Sequence, residues 1–177
     1  MSDKPPFECF YDLSDLGRVG AEVSISLSEP ERARLVQWAN IDAVESFAAQ
    51  ISLKKHSPTR YAFVAKLDAS IVQSCVVTLE PVRSRIEREI ARELLLASPV
   101  RRALPKEALP PSPSVEDELT EEIDSLTYDL AAPLLEEFSL AIDPYPRAPG
   151  VAFEPPKDSP EEADGPFAAL KALKGKA

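Results

Sequence analysis

The chain has 177 residues, 44% of them apolar, and a formal net charge of −10. That is enough apolar material for the core of one ordinary domain, with the remainder left for linkers. The acidic balance disfavours non-specific binding to duplex nucleic acid, and the longest apolar run, YAFVA at 61–65, falls far short of the ~20 residues that span a bilayer.

The opening MSDKPPFECFYD is acidic and proline-bearing where a secretory leader is basic and then apolar, so a cytoplasmic location is expected, with no membrane partner. Cys9 and Cys75 are expected to stay reduced there, without a disulfide. Phe7, Cys9, Tyr11 and Leu13 fall at every second position, as do Val23, Ile25 and Leu27, and this period predicts half-buried antiparallel strands. Ser28 with Glu31 forms a capping box, Pro30 suits a first turn, and Leu35, Trp38 and Ala39 make an apolar stripe. A helix over 28–40 closing one end of the sheet follows. Phe47, Ala49, Ile51 and Leu53, then Tyr61, Phe63, Ala65 and Leu67, give two more strands around the loop KKHSPT. Sheet is expected to continue from Ile71 to Leu79 and to stop at Pro81, which has no N–H for a ladder.

Residues 82–97 carry Ile86, Ile90 and Leu94 four apart among many Glu and Arg, a pattern that local propensity assigns to a helix. Residues 130–142 place Leu134, Leu135, Phe138 and Ile142 on one helical face, which must dock on the sheet. Five prolines in 99–113 and seven in 144–166 mark linkers or extended arms. The predicted organisation is one domain over 1–145, interrupted by a Pro-rich and then acidic linker at about 99–122. An extended arm over 146–165 and a short amphipathic segment over 166–177 follow it. That segment, PFAALKALKGKA, is too short to be a stable helix alone because nucleation is costly.

Charge is concentrated. Residues 116–143 hold ten Asp or Glu and no Lys or Arg, which equals the whole net charge. The preceding stretch is locally basic through Arg83, Arg85, Arg88, Arg92, Arg101 and Arg102. Catalytic and metal chemistry find few materials. A zinc site needs about four ligands, and the chain offers Cys9, Cys75 and a single His56 in a polar loop. A nucleophile has no base beside it, and with Gly17 and Gly20 as the nearest glycine pair there is neither a phosphate cradle nor a dinucleotide fingerprint. A non-catalytic protein with no cofactor and no metal is expected.

QSCVVTLEPV, an Arg/Glu-alternating stretch, DSLTYDLAAPLLEEFSLAIDPYPRAPG and a terminal PFAALKALK occur in that order. This order of blocks resembles the YceD family, the large ribosomal RNA subunit accumulation proteins, most of all its proteobacterial members. The resemblance runs from about Phe7 to the C-terminus. It implies a factor in large ribosomal subunit biogenesis that supports accumulation of 23S ribosomal RNA. Its partner would be a large-subunit ribosomal protein or an rRNA precursor. Many relatives have C-x-x-C where this chain has Cys75, Val76, Val77 and Thr78, so Cys75 is read as a small buried residue. Relatives look strand-like over 82–97, so the resemblance favours a strand where propensity favours a helix.

The expected fold is α+β: an antiparallel sheet curled toward a barrel, two packed helices and a flexible C-terminal arm. Arg83, Arg85, Arg88 and Arg92 are candidates for phosphate contact, and Tyr145 for stacking on a base beside Arg147. Phe167, Leu170, Leu173 and Lys174 are candidates for docking on a partner or on the chain's own domain. The acidic segment can instead hold a basic ribosomal protein, which the overall charge favours. A general adaptor that docks through its terminal helix, with no ribosomal role, is the alternative.

Overall fold

The computed structural model describes residues 4–97 and 120–152. Five strands build the main sheet in the order β2-β3-β4-β5-β6. They are β2 (Ala21–Ser26), β3 (Ala43–Lys55), β4 (Arg60–Ser74), β5 (Pro81–Leu96) and β6 (Thr120–Ile123). Neighbours are antiparallel except β5 and β6, which run parallel. A separate antiparallel pair joins β1 (Phe10–Asp12) to β7 (Thr127–Asp129). Two helices, α1 (Glu29–Ala39) and α2 (Ala131–Ala141), complete the α+β domain.

Alternation decides which face is covered. Phe47, Ala49, Ile51 and Leu53 on β3, Tyr61 through Ile71 at odd positions on β4, and Ile86, Ile90 and Leu94 on β5 are all buried on one face. The register sets Ile51 opposite Ala65, and Ala65 opposite Ile90, so a small residue lies between two large ones. Leu134, Leu135 and Phe138 of α2 are buried in the same core. The Phe138 ring meets Phe47 edge-on with centroids 5.5 Å apart, and Phe47 meets Phe7 in the same way at 5.5 Å. Asp129 ties the segment entering β1 to the start of α2, since its Oδ1 accepts both the Cys9 N–H (2.8 Å) and the Ala131 N–H (3.0 Å). At the β2 entrance Gly20 has φ +87°, and a Cβ there would lie 2.3 Å from the Leu53 carbonyl oxygen.

The helix over 28–40 forms as its cap requires. The Ser28 N–H donates to Glu31 Oε2 (2.8 Å), Leu35 is buried, and Asn40 ends it in the left-handed region at φ 54°. Hydrogen bonds from the Ser28 side chain and backbone hold the Glu31 carboxyl below its ordinary pKa.

Residues 82–96 lie in strand β5, as the resemblance favours over local propensity: Ile86, Ile90 and Leu94 stand four apart, and four is also a multiple of two, so they share one face of a strand as readily as one face of a helix. Four other expectations change. β4 ends at Ser74, short of Leu79, and residues 75–80 form the turn into β5. Pro81 opens the next strand instead of closing the sheet, since the first residue of a strand tolerates a missing N–H. The first strand shrinks to Phe10–Asp12 with a 3-10 turn at Leu13–Asp15, although Phe7 and Leu13 are buried as the alternation predicts. The sheet does not curl into a barrel. Closure needs the two outer strands to pair, and β2 and β6 lie at opposite edges without pairing. The Pro-rich segment 99–113 and the arm beyond residue 152 lie outside the described residues.

Phe138 is fully buried between the α2 face and Phe47, so Phe138→Ala should cost about 3–5 kcal/mol, read as a shift of the urea midpoint. Leu140→Ala, at an exposed position of the same helix, should change it little.

Candidate functional site

Strand geometry sorts the four arginines of β5. Arg88 stands opposite Leu67 and Arg92 opposite Phe63, both core residues, whereas Arg83 and Arg85 stand opposite Val72 and Ser70 on the outer face. A strand therefore divides what a helix would have gathered into one basic stripe.

Most of these guanidinium groups are already engaged. Arg83 Nε lies 3.0 Å from Glu45 Oε1, and Arg85 pairs with Asp68 and, at 3.1 Å, with Glu87. The ladder continues along the outer face through Lys66–Glu89 (3.0 Å) and Arg60–Glu93 (2.9 Å). Each exposed pair contributes about 0–1 kcal/mol. Their main effect is to leave little free positive charge on that face. Arg92 is half-buried and bridges Glu121 of β6 (3.3 Å) to Glu136 of α2. Burial disfavours its charge, but the two carboxylates outweigh that and raise its pKa. Only Arg88 of the four has no ion pair among the described residues; its Nη1 donates to the Glu87 carbonyl (3.0 Å).

Between β5 and α2 lies a cleft of about 400 Å³ lined by Glu89, Glu121, Glu136 and Glu137 around the Arg92 guanidinium. Glu89 is paired with Lys66 on the outer face, so Glu121, Glu136 and Glu137 against the single Arg92 leave the cleft acidic. The Tyr128 hydroxyl donates to Glu121 (2.9 Å), and burial together with the Glu121 charge pushes that hydroxyl well above its ordinary pKa.

A second cluster forms where the β4–β5 turn meets the loop after α2. The Gln73 amide donates to the Asp143 carbonyl (2.9 Å), the Val76 N–H donates to the Pro146 carbonyl (2.9 Å), and the Ala148 N–H donates to Cys75 Sγ (3.4 Å). The first residues assigned to the C-terminal arm are thus fastened to the turn. Pro146 is buried, and the alternation around it leaves Tyr145 (71% exposed) and Arg147 in solvent. Cys75 is fully buried, as expected, but it lies in the turn after β4 and outside the contiguous apolar core instead of within a strand of it. Its sulfur is nevertheless polar in its contacts: the Thr78 side chain and the N–H groups of Ala148, Thr78 and Val77 all hydrogen-bond it and push the thiol down to about 6. Thr78, the residue replacing the second cysteine of the resemblance, thus supports the first. Cys9 differs, since burial and then the Asp129 charge raise its thiol.

Sequence reasoning missed Leu79. It sits in the turn with φ 61°, a region that costs a leucine about 1–2 kcal/mol, and its side chain is 77% exposed. Nothing in the residue pattern signals a leucine there. Gln73, the polar anchor inside β4, was also unsignalled. His56 is exposed, and among the described residues no group of three or more His, Cys, Asp or Glu could hold a metal. Phe167, Leu170, Leu173 and Lys174 lie outside the described residues, as do Arg101 and Arg102.

The Cys75 geometry gives a signed pH dependence. The thiol ionises at about 6 when folded and near its ordinary value of 9.0 when unfolded, so the unfolded chain binds the extra proton between them. The stabilisation is complete above the unfolded value and is lost as pH falls through about 6. Thiolate absorbance of the folded protein should show a step near pH 6, and Cys75→Ala should abolish both that step and the rise of stability from pH 6 toward 9. A folded protein whose thiols titrate only above pH 8 would show that these donors do not hold a thiolate.

The model of the family described as large ribosomal RNA subunit accumulation protein YceD matches residues 63–174, more than half of the chain. No curated protein and no solved structure matches. The matched stretch takes in most of β4, all of β5 to β7, α2 and both clusters described above. On that match, the chain belongs to the YceD family of large ribosomal RNA subunit accumulation proteins.

Proposed function

We propose that the chain is a non-catalytic factor in large ribosomal subunit biogenesis that supports accumulation of 23S ribosomal RNA by holding a basic protein of that subunit. The family carries the role in large-subunit ribosomal RNA accumulation. The acidic cleft between β5 and α2 carries the choice of partner. Glu121, Glu136 and Glu137 outnumber the single Arg92 and attract a lysine or arginine side chain, and the net charge of −10 steers a basic protein toward them. A cytoplasmic location goes with this role. Among the described residues no helix is long and apolar enough to cross a membrane.

Direct grip on RNA has less support. A phosphate would have to displace carboxylates from Arg83, Arg85 and Arg92. Every aromatic side chain of the five-stranded sheet, Phe47, Tyr61 and Phe63, is buried, so its open face offers no ring for a base to stack on. Arg88 in the middle of β5 and Arg147 in the loop after α2 are free of ion pairs among the described residues, and Arg147 with the exposed Tyr145 two residues before it favours a second reading in which one unpaired base and its phosphate are bound at that loop.

Affinity purification of the tagged full chain from growing cells, with RNA and protein both identified, separates these readings. Glu137→Lys leaves both Arg92 bridges in place and should weaken recovery of a basic ribosomal protein roughly tenfold at an unchanged melting temperature. Undiminished recovery would refute the cleft. Arg147→Ala should leave protein recovery intact; selective loss of precursor rRNA would favour the second reading. A single non-ribosomal protein in every eluate would favour the adaptor.

A further inference from the structure

Val76, Leu79 and Tyr145 are exposed apolar residues at one end of the sheet, 45%, 77% and 71% accessible. Backbone bonds bring the chain segments that carry them together. The Val76 N–H reaches the carbonyl of Pro146, next to Tyr145, and the Leu79 N–H reaches the Cys75 carbonyl (2.9 Å), next to Val76. Leu79 is doubly disfavoured there. A glycine would adopt φ 61° without strain, and a polar side chain would be better hydrated. An apolar side chain kept under both penalties points to a cover that the described residues do not supply.

We infer that the cover is the chain's own terminal segment, residues 166–177, docked by its apolar stripe on Val76, Leu79 and Tyr145. Three observations choose this occupant. The chain leaves the domain beside the patch, because the Ala148 N–H is fixed on Cys75 Sγ and the described chain ends at residue 152. The thirteen residues 153–165 reach at most about 45 Å when fully extended, so their length permits a return to the point of departure. A partner tethered to the same chain binds intramolecularly, so a contact that is weak in free solution is favoured.

The second observation is chemical fit. Phe167, Leu170 and Leu173 fall at i, i+3 and i+6, one stripe of a helix, matching a small apolar patch in scale. The segment carries Lys171, Lys174 and Lys176 with no Asp or Glu. The rim of the patch carries three carboxylates against the one cation of Arg147. Glu80 is in the turn, Asp42 accepts from Ser74 Oγ (2.8 Å), and Asp143 accepts from the Tyr145 N–H (2.9 Å). None of these three is in an ion pair among the described residues. The third is that the family match, 63–174, contains both the patch and the whole apolar stripe. The docking is independent of what the acidic cleft holds.

The test compares nuclear magnetic resonance spectra of the full chain and of a chain ending at residue 165. The signals of Val76, Leu79 and the Tyr145 ring should move on truncation, and Leu170→Asp in the full chain should move them to the same positions. Adding a synthetic peptide of residues 166–177 to the truncated chain should return them along the same path. Full-chain positions should not depend on protein concentration. Signals that are indifferent to truncation overturn the inference, and so do positions that vary with concentration alongside a dimer in sedimentation, which would assign the patch to a second copy. Glu137→Lys should leave these signals where they are, so the cleft and the tail fail separately.

Discussion

Everything in this domain hangs on the pairing of β4 with β5, which runs in unbroken register from Arg60 opposite Leu95 to Ser74 opposite Pro81. Antiparallel pairing this long fixes two things together. It commits every second residue of β5 to the core side, and it leaves the turn at 75–80 at one end of the sheet, where the loop after α2 can reach it. A slip of one residue would expose Ile86, Ile90 and Leu94 and bury their charged neighbours. The buried Tyr61, Phe63 and Leu67 across the ladder therefore specify the register as firmly as the hydrogen bonds do.

The fold divides the negative charge of the acidic segment. Glu121 and Glu136 are drawn inward by Arg92, so part of the negative charge fastens β6 and α2 to the sheet. Glu137 borders the same cleft in no ion pair among the described residues, whereas Glu89 is paired with Lys66 on the outer face. Removing Arg92 would leave the carboxylates facing one another, an arrangement that repels unless a cation enters. The guanidinium thus sets how much attraction remains for an outside cation. Tyr128, kept neutral and donating to Glu121, holds one of those carboxylates in place.

Period two made the strands legible, and the capping box at Ser28 with Glu31 made α1 legible, because both are local rules that tertiary packing reinforces. β5 resisted. A spacing of four satisfies both a helix and a strand, and the Glu and Arg between its apolar residues favour a helix until a neighbouring strand supplies partners. The turn was hidden for a different reason. A proline reads as an ending, yet Pro81 is a beginning, and a leucine gives no warning of a positive φ. Among the site residues, the exposure of Tyr145 and Arg147 follows from alternation around Pro146, whereas the capture of three arginines by Glu45, Asp68, Glu121 and Glu136 depends on strand order that no spacing encodes.

The placement of α2 late in the chain also governs how the domain is born. Synthesis proceeds from the N-terminus at about 5–20 residues per second, so roughly 2–8 s separate the completion of β5 from the arrival of Phe138. During that interval four strands are available to pair, but the inner face around Phe47 and Phe63 has no α2 to cover it. The emerging chain is therefore stickiest while still attached to the ribosome that makes it.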